Sequence, residues 1–112
     1  MININIFRDN NGSVVGYRIE GHANYDEHGR DILCAAISVL SQTTLIALNK
    51  VCGIDEKDLC FSVDNDRGYL DVSLSKNLEK ESRYKADIVL DTMIVGIEDL
   101  SAQYPEYINF EK

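Results

Sequence analysis

Cysteine, proline and tryptophan are scarce in this chain, and the few cysteines limit the classes of fold to which it can belong. The 112 residues include 3 cysteines, 1 proline and no tryptophan. None of the cysteines forms a C-x-x-C motif or stands beside histidines at zinc-finger spacing, so we expect neither a disulfide framework nor a structural metal site. Since no low-complexity stretch is typical of a linker, we expect one domain over residues 1–112.

Basic residues are also in the minority. The 11 Lys and Arg are outnumbered by 19 Asp and Glu, which gives a formal net charge of -8 at pH 7. That charge repels the phosphate backbone, and the basic residues are scattered, so we expect no direct contact with nucleic acid. An acidic surface suits a basic partner, although in many soluble proteins it serves only solubility.

The sequence shows no export signal. Its N-terminus starts with alternating Ile and Asn rather than a basic segment followed by an apolar one, so we expect a cytoplasmic protein. The longest uncharged run, Ile32 to Asn49, approaches the length of a membrane-spanning helix. Its serines, threonines and glutamine make it too polar to insert, so we expect a buried helix and no membrane partner.

Hydrophobic periodicity predicts the order of the secondary structure. Alternating apolar residues flank turn residues in segments 2–19 and 59–74, and each pattern predicts a β-hairpin. Apolar residues at helical spacing predict helices from about Ile32 to Cys52 and from about Glu79 to Gln103, and the last residues predict a short strand. The order β-β-α-β-β-α-(β) predicts an α/β (α+β) fold, a two-layer mixed sheet from two β-hairpins with two helices on one face.

Between the first hairpin and the first helix lies a segment of small, polar and charged residues. From Gly21 to Arg30 it predicts a mobile loop of unusual length for so small a domain. Asp31 would follow as the N-cap of the helix. Cys34 would then be the third residue of that helix, in the first turn, where free N–H groups and the helix dipole favour a thiolate.

Cys34 and His22 are the candidate nucleophile and general base. His22 ends the second predicted strand, 12 residues before Cys34, and the intervening loop can bring the two together. Free N–H groups in the first helical turn would stabilise an oxyanion, so the arrangement favours acyl transfer. Asp31 could orient His22, and Ser38, one turn after Cys34, could donate a hydrogen bond within the site.

Each of these residues also has a structural interpretation. A buried cysteine is usually an inert small hydrophobic residue, and an Asp at a helix start is often only a cap. Ser38 could be a core hydroxyl, and His22 a surface histidine without a role. A metal site of His22, His28 and Cys34 is conceivable, but the spacing matches no common zinc pattern, so we expect no metal and no cofactor.

Two segments together resemble a known signature. Gly21-His22-Ala23 is followed, after a short loop, by Gly29-Arg30-Asp31-Ile32-Leu33-Cys34-Ala35-Ala36-Ile37-Ser38. This combination of G-H-A and G-x-D-I-x-C-A-A-x-S, at this separation, resembles the ribosomal-processing cysteine protease Prp family. Chain length and element order agree as well, and Leu33 stands where valine is usual.

The resemblance carries further expectations about the site, the partners and the substrate. It implies that His22 and Cys34 are the catalytic pair and that Asp31 and Ser38 belong to the site. It implies a homodimer whose substrate is the N-terminal extension of large-subunit ribosomal protein L-twenty-seven, cut after paired aromatic residues. It implies a mobile substrate-binding flap made of Asn24, Tyr25, Asp26, Glu27, His28, Gly29 and Arg30. The alternative function is a non-catalytic ribosome-associated binding protein in which Cys34 merely packs.

Overall fold

The predicted order of strands and helices is confirmed by the structure. The computed structural model describes residues 1–21 and 27–112, with side chains described for 1–21 and 32–112. A single turn of 3-10 helix, Glu56–Asp58, precedes the second hairpin. The elements are β1 (Ile2–Arg8), β2 (Val14–Gly21), α1 (Glu27–Lys50), β3 (Leu59–Asp64), β4 (Tyr69–Leu74), α2 (Lys80–Gln103) and β5 (Ile108–Glu111).

The five strands form one mixed sheet in the order β3-β4-β2-β1-β5. β5 runs parallel to β1, and the other neighbouring pairs are antiparallel. Ile4 pairs with Ile19, which pairs in turn with Leu70, so the helix-facing side of the central strands is continuously apolar. The opposite side carries polar pairs such as Arg18 with Asp71, at 2.7 Å. Both helices therefore cover one face, as the sequence predicted.

Tyr17 joins the centre of the sheet to α1. Its side chain, in the middle of β2, is 0% exposed, and its hydroxyl donates a 2.8 Å hydrogen bond to the carbonyl oxygen of Ser41. Burial raises the pKa of the Tyr17 phenol, so the group stays a neutral donor. The Ser41 hydroxyl donates to the carbonyl of Ile37 at 2.8 Å. This polar contact inside the core fixes where α1 crosses β2.

The start of α1 differs from the prediction. The helix begins at Glu27, not at Ile32, so the assignment of Asp31 as an N-cap was wrong. Forming the first turn of a helix is unfavourable in free energy, whereas each residue added to an existing helix gains one backbone hydrogen bond. The segment contains no proline, and one glycine costs a helix only about 1 kcal/mol, so the helix formed by the later residues continues towards the N-terminus.

The same observation corrects the loop that the sequence predicted before α1. The backbone of its second half, Glu27, His28, Gly29 and Arg30, belongs to α1, so the prediction of a loop there was wrong. The small and polar composition that suggested a loop does not stop a helix, because only proline breaks the backbone hydrogen-bond pattern outright. The first half, Asn24, Tyr25 and Asp26, lies outside the described residues, and so does His22.

α1 ends two residues earlier than predicted, at Lys50 rather than Cys52. Gly53 adopts a φ of 70°, a left-handed conformation common just after helices. The N–H of Cys52 donates to the Ala47 carbonyl at 3.0 Å, so this cysteine belongs to the terminating turn. It is buried, and burial raises the pKa of its thiol. The interpretation of Cys52 as a structural residue fits this position.

α1 carries more apolar side chains than the sheet covers. Leu33 and Ile37 are buried, but Ile32, Val39 and Ile46 are each more than half exposed. Segment Ile32–Lys50 is long and apolar enough to cross a membrane by length and composition, a test that the core helix of a soluble protein also passes. In the structure this segment packs on the sheet and leaves an apolar outer face.

Replacing Tyr17 with Phe should measure the contact between β2 and α1. The variant keeps the ring in the core and loses the hydroxyl, so we expect the free energy of unfolding to fall by about 1 kcal/mol. Urea denaturation followed by circular dichroism measures this change. Tyr84, exposed on α2, is the matched control, and Tyr84→Phe should change stability by less than about 0.5 kcal/mol. Equal stability of the two variants would contradict the proposed role of the Tyr17 hydroxyl.

Candidate active site

Cys34 lines a cavity of about 140 Å³ between α1 and one end of the sheet. Cys34 itself is half-buried, so part of its surface in the cavity is accessible to solvent. Three parts of the fold form its walls: α1, the adjoining ends of β1 and β2, and the β3–β4 turn with the start of β4. The lining residues are Ile2, Ile19, Gly21, Cys34, Ile37, Ser38, Ser41, Gln42, Asn65, Gly68, Tyr69 and Leu70.

The α1 wall presents three polar residues at a spacing of four. Cys34, Ser38 and Gln42 therefore lie one above another along the same side of the helix. The sequence predicted that Ser38 accompanies Cys34, and the structure brings both to the same cavity. Gln42 was missed, although its spacing of four residues from Ser38 is a signal that could have found it. This side of the cavity therefore presents a thiol, a hydroxyl and a side-chain amide to a molecule bound there.

The end of β2 forms the facing wall at Gly21, the residue directly before His22. Gly21 has a φ of 104°, and a Cβ atom there would lie 2.5 Å from the carbonyl oxygen of Met1. Its N–H donates to the carbonyl of Gly68 at 3.2 Å. Only glycine tolerates this combination of positive φ and close backbone contact. The chain therefore leaves β2 at the wall of the cavity that Cys34 lines, and continues into His22.

Cys34 does not lie in the first turn of its helix. α1 begins seven residues earlier, at Glu27, which places Cys34 two turns inside the helix. Only the first four amides of a helix lack a partner within it, and the influence of the helix dipole falls off within the first turn. The prediction that first-turn amides surround Cys34 was therefore wrong. Asp31 contributes its backbone to α1, and its side chain lies outside the described ones.

The β3–β4 turn is tied to the end of β2. The Asp64 carboxylate accepts hydrogen bonds from the backbone N–H groups of Asp66 and Arg67, at 3.1 and 3.3 Å. Arg67 reaches back to the Glu20 carboxylate at 2.9 Å, and its guanidinium lies 4.7 Å from the ring centre of Tyr69. Exposed contacts of this kind are individually weak. Together with the Gly21 to Gly68 bond, they hold the turn against the cavity.

No metal centre is found among the side chains that the structure describes. They contain no group of three His, Cys, Asp or Glu residues that could hold an ion. The conceivable set of His22, His28 and Cys34 includes two residues whose side chains lie outside that part of the chain.

A family model described as cysteine protease Prp matches residues 1–109. The ribosomal processing cysteine protease Prp of Bacillus subtilis (strain 168) is 28% identical over 106 residues, which covers 95% of this chain and 92% of the relative. The protein of the same name from Staphylococcus aureus (strain Mu50) is 27% identical over 109 residues, 96% of this chain and 95% of the relative.

Solved structures with the same fold give a consistent picture. SMU.848 from Streptococcus mutans superposes with a TM-score of 0.83 at 28% identity and covers 99% of this chain and 92% of its own. The essential ribosomal processing protease Prp from S. aureus, in complex with a covalently linked product peptide, gives 0.78 at 25% identity, covering 99% and 98%. A protein with the fold of this chain has thus been crystallised with a product peptide covalently linked to it.

The variant Gly21→Ala tests whether stability and activity depend on the backbone conformation at the cavity wall. Gly12, in the β1–β2 turn, is a matched control, because it also has a positive φ (83°) but no atom within 4 Å of an added Cβ. In both variants the positive φ costs the alanine about 1–2 kcal/mol, which lowers the free energy of unfolding. Only Gly21→Ala adds a clash with a backbone carbonyl, so we expect its free energy of unfolding to fall further and its peptidase activity to fall at least tenfold. Equal losses of stability and activity in the two variants would show that the backbone at the cavity wall can shift without consequence.

Proposed function

The chain belongs to the cysteine protease Prp family, and from that premise we propose that it removes the N-terminal extension of large-subunit ribosomal protein L-twenty-seven in the cytoplasm. Its relatives in B. subtilis and S. aureus carry the name ribosomal processing cysteine protease. The S. aureus relative has been crystallised with a covalently linked product peptide. The choice of L-twenty-seven as the substrate rests on the resemblance of the signature around His22 and Cys34.

We propose that Cys34 is the nucleophile and His22 its general base. One observation carries this assignment: the cavity that Cys34 lines is also lined by Gly21. Consecutive Cα atoms are about 3.8 Å apart, so the backbone of His22 begins at the wall of that cavity. A thiol and a nearby imidazole are the components that thiol proteases need, and His22 is the residue that follows Gly21 in the sequence.

The chemistry then follows the usual course of acyl transfer. His22 accepts the thiol proton, and the Cys34 sulfur attacks the carbonyl carbon of the peptide bond to form a tetrahedral oxyanion. The oxyanion collapses as protonated His22 gives its proton to the leaving amine, which departs and leaves a thioester. A water molecule, deprotonated by His22, hydrolyses the thioester and restores the thiol.

The oxyanion needs donors other than the amides next to Cys34, because amides two turns inside a helix are used by the helix itself. Among the lining residues, Gln42 on α1 and Asn65 on the β3–β4 turn carry side-chain amides that can donate. We assign Ser38 a hydrogen bond to substrate in the same cavity, and Asp31 the orientation of His22.

Charge supports a ribosomal protein as the partner. The chain has a formal net charge of -8 at pH 7, whereas proteins that bind ribosomal RNA are rich in basic residues. Opposite charge raises the rate of encounter more than it raises affinity. The acidic character of this chain therefore suits capture of a basic substrate.

A homodimer is the assembly that we propose. α1 and α2 leave an apolar groove of about 270 Å³ on their outer side, lined in part by Val39 and Ile88. Val39, Ile88 and Val95 are 65%, 51% and 66% exposed, and Val89 packs partly against the core. Exposed apolar surface of this kind is commonly covered by a partner, and a two-fold axis would cover the same face on both copies.

Cleavage of a peptide spanning the extension junction tests the catalytic assignment. We expect Cys34→Ala and His22→Ala each to lower kcat/KM by at least about a thousandfold, since both groups take part in bond making. Mass spectrometry of the peptide detects the products. Cys60→Ala, which removes an exposed cysteine on β3, is the control and should cleave normally. Wild-type turnover by Cys34→Ala would contradict the assignment, and binding without cleavage by the native chain would favour the non-catalytic alternative.

Sedimentation velocity at micromolar concentration tests the dimer. We expect a dimer for the native chain and a monomer for Ile88→Asp, because a charge in the α1–α2 groove would be buried without a partner. Phe7→Asp, on the opposite side of the sheet, is the control and should stay dimeric. A monomeric native chain would contradict the proposal.

A further inference from the structure

β3 is an edge strand without the usual protection against pairing. It lies at one end of the strand order, and its residues Cys60, Phe61, Ser62 and Val63 are all exposed. Natural proteins generally block such edges with charged residues, proline or a bulge. From Leu59 to Val63 the strand has no charge and no proline, and its pairing with β4 runs without a register shift. Within residues 1–21 and 27–112, no strand pairs with this edge, so we treat it as available to an added strand.

Two apolar side chains of β3 point towards the helix side of the sheet. Phe61 pairs with Val72, and Val63 pairs with Leu70; both partners are buried in the core. Directly opposed residues on neighbouring strands point to the same face. Phe61 and Val63 are nevertheless 59% and 47% exposed, because the helices do not extend over this edge. The sheet thus presents two exposed apolar side chains at this edge, which we call the β3 shelf (Phe61 and Val63).

The β3 shelf is continuous with the cavity that Cys34 lines. Leu70, the partner of Val63, is one of the lining residues of that cavity. Asn65 and Tyr69 line both this cavity and an adjoining depression that includes Val63. Side chains on neighbouring strands lie about 5 Å apart, so a peptide in the cavity reaches the shelf within one or two residues.

We propose that β3 binds the substrate as an added strand and that the β3 shelf selects an apolar side chain next to the cut. This inference rests on the proposed protease function. An added strand would satisfy the free backbone groups of the edge, while pockets for alternate side chains supply specificity. In an extended peptide every second side chain points to the same face, so only alternate substrate residues meet the shelf. The continuity with the Cys34 cavity favours a peptide substrate over a second copy of this chain.

A cycle of enzyme and peptide variants tests the β3 shelf. The substrate is the junction peptide with its paired aromatic residues, compared with versions in which each aromatic is changed to Ala. We expect Phe61→Ser to lower kcat/KM for the original peptide about tenfold, the scale of a lost apolar contact in a specificity pocket. For one of the Ala peptides the same enzyme variant should cause little further loss, because contacting groups are not additive.

Controls keep this experiment free of folding effects. Phe7→Ser makes the same exchange at an exposed phenylalanine of β1, on the side of the sheet away from the helices, and should cleave all peptides at the wild-type rate. Val63→Thr keeps the shape and β-propensity of valine while adding a hydroxyl, and should show the same coupling more weakly. Thermal unfolding and the rate of iodoacetamide labelling of Cys34 should be unchanged in Phe61→Ser.

The outcomes separate this inference from the proposed function. Equal or fully additive losses for all peptides would overturn the β3 shelf and leave the protease assignment standing. A Phe61→Ser protein that becomes monomeric and loses activity on every peptide alike would show that β3 pairs with a second copy, which also overturns the inference. Absence of cleavage by the native chain would overturn the proposed function and the inference with it.

Discussion

The packing of the buried Tyr17 side chain against α1, with its hydroxyl donating to the Ser41 carbonyl, positions α1 on the sheet, and the geometry of the site depends on this contact. It joins the centre of β2 to α1 two turns after Cys34. A helix is rigid over this distance, so the contact also determines where Cys34 lies relative to Gly21 at the end of β2. A slip of one helical turn, about 5.4 Å, would move the thiol out of the cavity that both residues line.

The position of Cys34 within α1 changes where stabilisation of an oxyanion must come from. A nucleophile at a helix start can use free backbone amides, whereas one inside a helix has none beside it. The cavity instead assembles side-chain amides from α1 and from the β3–β4 turn, which is tied back to β2 through Glu20 and Gly21. The mechanism that we propose therefore depends on a turn that is distant from Cys34 in sequence.

Sequence patterns predicted the parts of this architecture that depend on local chemistry. Alternation gave the strands, helical spacing gave α2 within one residue of its start, and the spacing of Cys34 and Ser38 predicted that they share a face. The start of α1 was not predictable, because the helix continues towards the N-terminus through a polar and charged segment that resembles a loop in composition. The role of Asn65 and the exposure of Phe61 depend on the strand order β3-β4-β2, which no local pattern encodes.

The most direct measurement is to react the native protein with a junction peptide that ends in a chloromethyl ketone, then to map the modified cysteine by mass spectrometry. The three cysteines differ in exposure: Cys60 is exposed, Cys34 is half-buried and Cys52 is buried. Reaction by accessibility alone would modify Cys60 first. The account predicts a single adduct, displacing chloride, on the sulfur of Cys34 and lost in His22→Ala. An adduct on Cys60, or modification of Cys34 at the same rate in His22→Ala, would contradict it.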